Sequence, residues 1–485
     1  MAESAVPQLL DLPQEMLTFT LLKTSTSLAP RLGRLTIPGR STISTPHYIG
    51  NTSRGAVPHI SQDNFRKHTH IHGVYVALED FIEKLPQQTP PVYTLECPAT
   101  ESALRSFIAL SKETLLVLGP RRIPPVPCPA ANTNTALSIL TSVGFRQITS
   151  SDYVAAAQRL RPDIVVGLGD IPSGQQQPGL KRIDKMSDRT EKWTKNIISG
   201  RRGLDKTVKN PKASYEIFAP VLPVSRELQS WYLDHLVDDM LEDISGLVIY
   251  DSHMLAELPD ELQLLPRLSF DLPSSPQKLL YQISLGMDIF TVPFITDATD
   301  AGIALDFSFP PPRSASVITE ATAGVLTDKK SLGIDMWQPS HATSITPFST
   351  GCTCYACAKH HRAYVQHLLA SKEMLGWVLI QLHNHTVAGA FFAGVRESIA
   401  GGTFEEDKKA FEAFYEPELP EKTGQGPRVR GYQFKSEGPS ESKKNPPAYR
   451  MLNDHKEGLS EAPTPDSNAD AKDLERIGFA ESAGS

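Results

Sequence analysis

Residues 351–399 read GCTCYACAKHHRAYVQHLLASKEMLGWVLIQLHNHTVAGAFFAGVRESI. Cys352, Cys354 and Cys357 fall in one tight loop, where three thiols can converge on a single centre about 2.3 Å from each sulfur. Three free thiols side by side are chemically hazardous in a reducing compartment, so the loop points to a bound Zn2+ ion. Three thiolates call for a fourth donor. Tyr364, Val365, Leu368, Leu369, Leu375 and Val378 recur at helical spacing, which predicts one long helix over 362–379. Such a helix ends before Gln381-Leu382-His383-Asn384-His385 and allows His383 to return to the thiol loop. His385, His360, His361 and His367 compete for the same role. A closed shell of three Cys and one His leaves no position for water, so the expected role of the metal is structural.

Outward from this stretch, short β-branched and apolar runs alternate with segments of helical period. The runs at 17–22, 73–78, 91–97, 114–119, 163–169, 245–250, 268–272 and 288–293 predict strands, and 100–112, 134–143, 226–241 and 276–286 predict helices. Alternation over some 300 residues favours a parallel sheet, and at this length an α/β architecture of the (β/α)8 barrel kind competes well with a doubly wound sheet.

The chain has 485 residues, 40% hydrophobic and 21% charged, enough for a large core. Its formal charge is −7, of which residues 436–485 supply −4 through ten acids against six Lys and Arg, so bulk charge excludes a strongly basic nucleic-acid binder. That last segment is rich in Ser, Glu, Pro, Lys and Asn and predicts a disordered tail. The basic stretch 181–212 holds eleven Lys and Arg against four acids, with Trp193 among them. It reads either as a solvated helix face with paired charges or as a contact for phosphates. No apolar run approaches the ~18 to 20 residues of a membrane span, so no integral membrane association is expected. Glu3, Asp11 and Glu15 stand where a targeting segment would be basic or apolar. Five cysteines are too few for a disulfide framework. These features point to the cytoplasm and leave docking on a mitochondrial outer surface unread.

The segment 351–399 resembles the zinc-binding region of the tRNA-guanine transglycosylases. Their Cys-x-Cys-x2-Cys loop is followed by Arg-Ala-Tyr, His-Leu, Leu-Gly, His-Asn and a final Arg. Here Arg362-Ala363-Tyr364, His367-Leu368, Leu375-Gly376, His383-Asn384 and Arg396 take those places. The resemblance selects His383 as the fourth ligand, giving the set Cys352, Cys354, Cys357 and His383. Arg31-Leu-Gly-Arg-Leu35, Ser44-Thr-Pro46 and Leu280-Tyr-Gln-Ile-Ser-Leu-Gly-Met-Asp-Ile-Phe290 extend the likeness more weakly, so that most of the chain up to about Phe434 threads on the family. It implies a (β/α)8 barrel over 1–350, a zinc-binding part over 351–435 that completes it, and the tail over 436–485.

Members of this family exchange guanine at the tRNA anticodon for a deazaguanine base through an aspartate that bonds to the ribose. In active members the nucleophile follows Gly-x-Asp-x-Phe. Gly286, Asp288 and Phe290 are present here, but the nucleophile position is Thr291, and the base-binding Asp-Ser-Gly-Gly-Phe-Gln segment has no counterpart; the region after Val92 reads Tyr93-Thr-Leu-Glu-Cys-Pro98. Asp170 is a candidate base-recognising acid or else a helix cap or turn residue. The resemblance therefore implies a degenerate member with no catalytic residue of its own. Such a chain would pair as a heterodimer with the catalytic subunit of a queuine tRNA-ribosyltransferase, meet tRNA within that complex, and support exchange of guanine for queuine at wobble position 34 of tRNAs with GUN anticodons. Two other readings compete. One is a self-sufficient transglycosylase using Asp288, Asp297 or Asp300 as a relocated nucleophile. The other is an unrelated zinc-stabilised binding module.

Overall fold

The computed structural model describes residues 17–427 apart from 24–27, 83–88, 99–100, 129–130, 142–143, 172–177, 208–214 and 313–328. The expected tail, the acids of the first fifteen residues and the end of the basic stretch lie outside the described residues. Eight parallel strands close into a barrel in chain order: β1 (His47–Asn51), β2 (Gly73–Ala77), β3 (Leu115–Gly119), β4 (Ile164–Val166), β5 (Glu216–Val221), β6 (Gly246–Ile249), β7 (Arg267–Ser269) and β8 (Ile289–Thr291). The ring is completed by β8 against β1, with Phe290 opposite Tyr48.

Strand alternation divides the apolar material in two. On β2, Tyr75 and Ala77 join Ile49, Val117, Val166, Phe218, Val248 and Ile289 inside the barrel, whereas Val74 and Val76 pack against the surrounding helices. Both faces are buried, as a parallel sheet requires, and each large apolar side chain so covered contributes about 1.5–3 kcal/mol. A three-stranded antiparallel sheet, Thr18–Lys23, Leu32–Thr36 and Ile43–Thr45, adds Leu35 and Ile43 to the interior cluster.

Six of the eight barrel strands coincide with expected runs. The run at 17–22 is a strand outside the barrel, and 91–97 gives only the short helix Pro91–Thr94, whose leading proline suits a first helical turn. Strands β1 and β5 were not anticipated, the second because Pro220 interrupts its pattern. The expected helix at 134–143 is the strand Ala136–Thr141, paired antiparallel with Gly144–Thr149. Its apolar spacing fits either period, and Gly144, paired with Thr141, opens the partner strand at φ 122°. Among the described residues of 100–112, only Ala103–Phe107 is helical.

The predicted single helix over 362–379 is two. Arg362–Ala370 stops at a turn where Lys372 takes φ 57°, and a second helix runs from Met374 to Gly401. This second helix is apolar on nearly all sides because it is buried on nearly all sides. Gly394 lets it touch the chain beneath; a Cβ there would meet the Phe309 carbonyl oxygen at 1.7 Å.

Candidate metal centre

The thiol loop folds back so that Cys354 caps the short helix Tyr355–Lys359, its Sγ accepting the Cys357 backbone N–H at 3.3 Å. His383 arrives from the third turn of Met374–Gly401, not from a segment after a helix. Its Nδ1 lies 3.6 Å from the Sγ of Cys352, 3.6 Å from that of Cys354 and 3.4 Å from that of Cys357. A tetrahedral ion with sulfur at about 2.3 Å and nitrogen at about 2.0 Å requires nitrogen-to-sulfur edges of about 3.5 Å. All four donor atoms fall within 4.8 Å of one another, so the cluster could hold a metal ion.

The surroundings fix the donor that the imidazole presents. His383 is fully buried, and its Nε2 donates to the Leu305 carbonyl at 2.8 Å, which leaves the Nδ1 lone pair facing the sulfurs. Phe348 stands edge-on at 5.0 Å, and Trp377, Leu379 and Val365 close the apolar wall. Burial works against a charged His383, but hydrogen bonds with Cys352 and Cys357 outweigh it and raise its pKa to about 9. Hydrogen bonds from Cys354 and Cys357 hold the Cys352 thiol down, and the same exchange pushes Cys354 up. Metal binding at such a cluster releases protons.

Of the competing histidines, His367 is exposed on the helix Arg362–Ala370 and the other three are engaged elsewhere. His385 faces the barrel, its Nδ1 3.1 Å from the Tyr48 hydroxyl. His361 caps Arg362–Ala370 by accepting the Tyr364 N–H at 3.2 Å, and His360 stacks on Tyr364 at 5.4 Å. Asn384 has a role the sequence reading did not assign. It accepts the Leu305 N–H at 2.8 Å and donates to the Ile303 carbonyl and the Thr299 hydroxyl at 3.0 and 2.9 Å, pinning the strand whose carbonyl orients His383. Its adjacency to His383 was the available signal.

The mouth of the barrel, at the carboxyl ends of the strands, is built differently. Thr291 ends β8, fully buried, with its hydroxyl donated to the Ser269 carbonyl at 3.0 Å. A cavity of about 300 Å³ is lined there by Tyr75, Tyr250, Phe270, Pro125 and Leu272 among others, and no Asp or Glu is among its lining residues. Phe270 packs edge-on against both Tyr75 and Tyr250 at 5.4 Å. Gly119 makes room for this filling, since a Cβ would meet the Tyr75 hydroxyl at 2.0 Å.

Asp170 is neither a cap nor a plain turn residue. It is fully buried and accepts from both Arg182 terminal nitrogens, from Arg189 at 2.9 Å and from Asn132 at 2.6 Å. Burial pushes its carboxyl up, but these donors outweigh it and hold the pKa below the ordinary value. The candidate relocated nucleophiles are also committed or misplaced. Asp288 precedes β8 at the opposite rim, fully buried, bound by both Arg31 and the Arg267 backbone N–H. Asp300 pairs with His59 at 2.6 Å, and Asp297 is exposed on the helix Phe294–Asp300.

The basic stretch forms the helix Leu180–Thr207, and much of its charge is used internally. Besides Arg182 and Arg189, Lys195 pairs with Glu191, and Arg201 and Arg202 pair with Asp243. Lys181, Lys185 and Lys192 stand exposed. No helix among the described residues is long and apolar enough to cross a membrane.

A closed eight-stranded parallel barrel carrying a Cys3His cluster on a following helix is the architecture the transglycosylase resemblance implies. Residues 26–417 match the queuine tRNA-ribosyltransferase family, and the chain belongs to it. Among individual relatives, it is 35% identical to the queuine tRNA-ribosyltransferase accessory subunit 2 of Schizosaccharomyces pombe, over 83% of this chain and 86% of that one. It is 27% identical to the protein of the same name from Drosophila pseudoobscura pseudoobscura, over 78% and 88% of the two chains. Against the Xenopus tropicalis protein of that name it is 26% identical over 77% and 94%.

Proposed function

We propose that this chain is the non-catalytic subunit of a heterodimeric queuine tRNA-ribosyltransferase. In this reading it pairs with a catalytic transglycosylase chain and supports exchange of guanine for queuine at wobble position 34 of tRNAs with GUN anticodons. The observation that carries it is Thr291: where the family resemblance expects a nucleophilic carboxylate, a hydroxyl is spent on a backbone carbonyl. A cavity in the mouth lined by Tyr75, Tyr250 and Phe270 and by no Asp or Glu supports the same reading, as do relatives that are named as accessory subunits.

The metal is Zn2+, held by Cys352, Cys354, Cys357 and His383. Soft thiolates with one imidazole at tetrahedral spacing favour that ion, and four protein donors give it a structural task. We set the boundary between the barrel part and the metal-holding part at residue 350. Three reduced thiols as ligands fit work in the cytoplasm. The test is co-purification: a catalytic transglycosylase chain should come with this one in one-to-one ratio, and exchange of labelled guanine in tRNA should need both. Exchange by this chain alone, with a covalent tRNA adduct on it, would overturn the proposal.

A further inference from the structure

The amino-terminal rim of the barrel, opposite the mouth, gathers basic groups that neither the metal centre nor the proposed function uses. His47 opens β1 and is only 7% exposed, yet its Nδ1 is buried with no hydrogen-bond partner. The His72 ring, just before β2, lies 6.1 Å away. Phe392 stands edge-on to His47 at 5.8 Å, and one helical turn further Arg396 donates from Nη1 to the Pro46 carbonyl at 2.9 Å. That single bond leaves most of the guanidinium fork uncommitted. His70, two residues before His72, is exposed.

We propose that His47, His72, His70 and Arg396 form an anion site that takes a phosphate group. The guanidinium supplies the charge and the planar donor fork that phosphate oxygens match, and the imidazoles supply further N–H donors around it. A buried imidazole nitrogen without a partner is costly unless a ligand or water meets it. Nearby acids do not fill the role of counter-ion: Asp288, whose carbonyl receives the His47 N–H, gives its carboxylate to Arg31, and Glu397 points into solvent beside Arg396. Arg396 lowers the pKa of both His47 and His72, and burial lowers each of them more. An adjacent fixed positive charge disfavours a metal cation at these imidazoles and favours an anion.

Inorganic phosphate, titrated into the full-length chain against chloride at constant ionic strength, tests this. Phosphate should raise the melting temperature saturably and shift the His47 and His72 ring resonances, and His70→Gln or His72→Gln should weaken the apparent affinity about tenfold. A melting shift no larger than that of chloride would overturn the proposal. So would an unchanged phosphate response in both variants, of which His70→Gln alters an exposed side chain and leaves folding intact. Binding of tRNA to the two-chain complex then separates the sources: weakening by His72→Gln identifies a nucleic-acid phosphate, and phosphate binding without that weakening identifies a free one.

Discussion

His383 and Thr291 are both fully buried, and each gives its hydrogen to a backbone carbonyl, Leu305 at 2.8 Å and Ser269 at 3.0 Å. The consequences are opposite. An imidazole that donates from Nε2 still offers a lone pair at Nδ1, so its hydrogen bond sharpens the site it belongs to. A hydroxyl whose single hydrogen is committed, with no general base beside it, is a spent group. The metal centre therefore keeps every element that coordination needs, while at the barrel mouth the hydroxyl of Thr291 is committed and the cavity is lined by Tyr75, Tyr250 and Phe270 and by no Asp or Glu. Stability devices and reaction chemistry have separate residues in this fold, and one set can go while the other stays.

If that separation is right, disturbing the metal centre should cost the most. Cys354→Ala, or a chelator on the native chain, should lower stability by several kcal/mol, because metal binding in such sites is coupled to folding. Thermal melts read beside zinc content check this, and an unchanged melting temperature in the metal-free chain would break the comparison at its first term. Next comes the rim below β8. Asp288→Asn should cost about 3–5 kcal/mol, since it leaves Arg31 buried against a neutral amide. If Asp288 were instead a relocated nucleophile, the variant would lose a tRNA adduct while keeping its stability in urea.

Much of this was legible in the residues because it depends on spacing. The thiol loop declares itself within six positions, and six barrel strands show as apolar runs of the right length. What escaped depends on pairing across long separations. The segment 136–141 has apolar residues that satisfy helix and strand periods alike, and only its partner 144–149 decides. Pro220 hides β5, and nothing local places His383 within a helix, because Lys372 breaks the chain at a left-handed backbone position that lysine does not advertise. The ion pair of Asp170 with Arg182 and Arg189 joins residues 12 and 19 positions apart across an undescribed segment.

That ion pair gives the third prediction, in which the mouth is tested as structure. Asp170→Asn should cost about 2 kcal/mol at neutral pH, because two guanidinium groups lose their charged acceptor. The folded-state pKa of Asp170 lies below its unfolded value of about 3.9, so its contribution is present above that pH and fades as acid protonates the folded carboxylate. Urea denaturation between pH 7 and pH 3 should show the wild type and the variant converging at the acid end. Curves that stay parallel would mean that Asp170 contributes by shape and not by charge.

The smallest expected effect is the most discriminating. Thr291→Val removes one buried hydrogen bond at nearly constant volume and should cost about 1 kcal/mol, with the activity of the two-chain complex unchanged. The converse substitution, Thr291→Asp, installs a carboxylate at the position where the proposed function places the missing nucleophile. It should still give no exchange on this chain alone, since the new acid would sit buried beside the Ser269 carbonyl, without the hydroxyl's hydrogen to give that oxygen. Activity appearing in Thr291→Asp would show that the mouth is intact apart from one atom group, and the contrast between a kept centre and a lost one would shrink to a single residue.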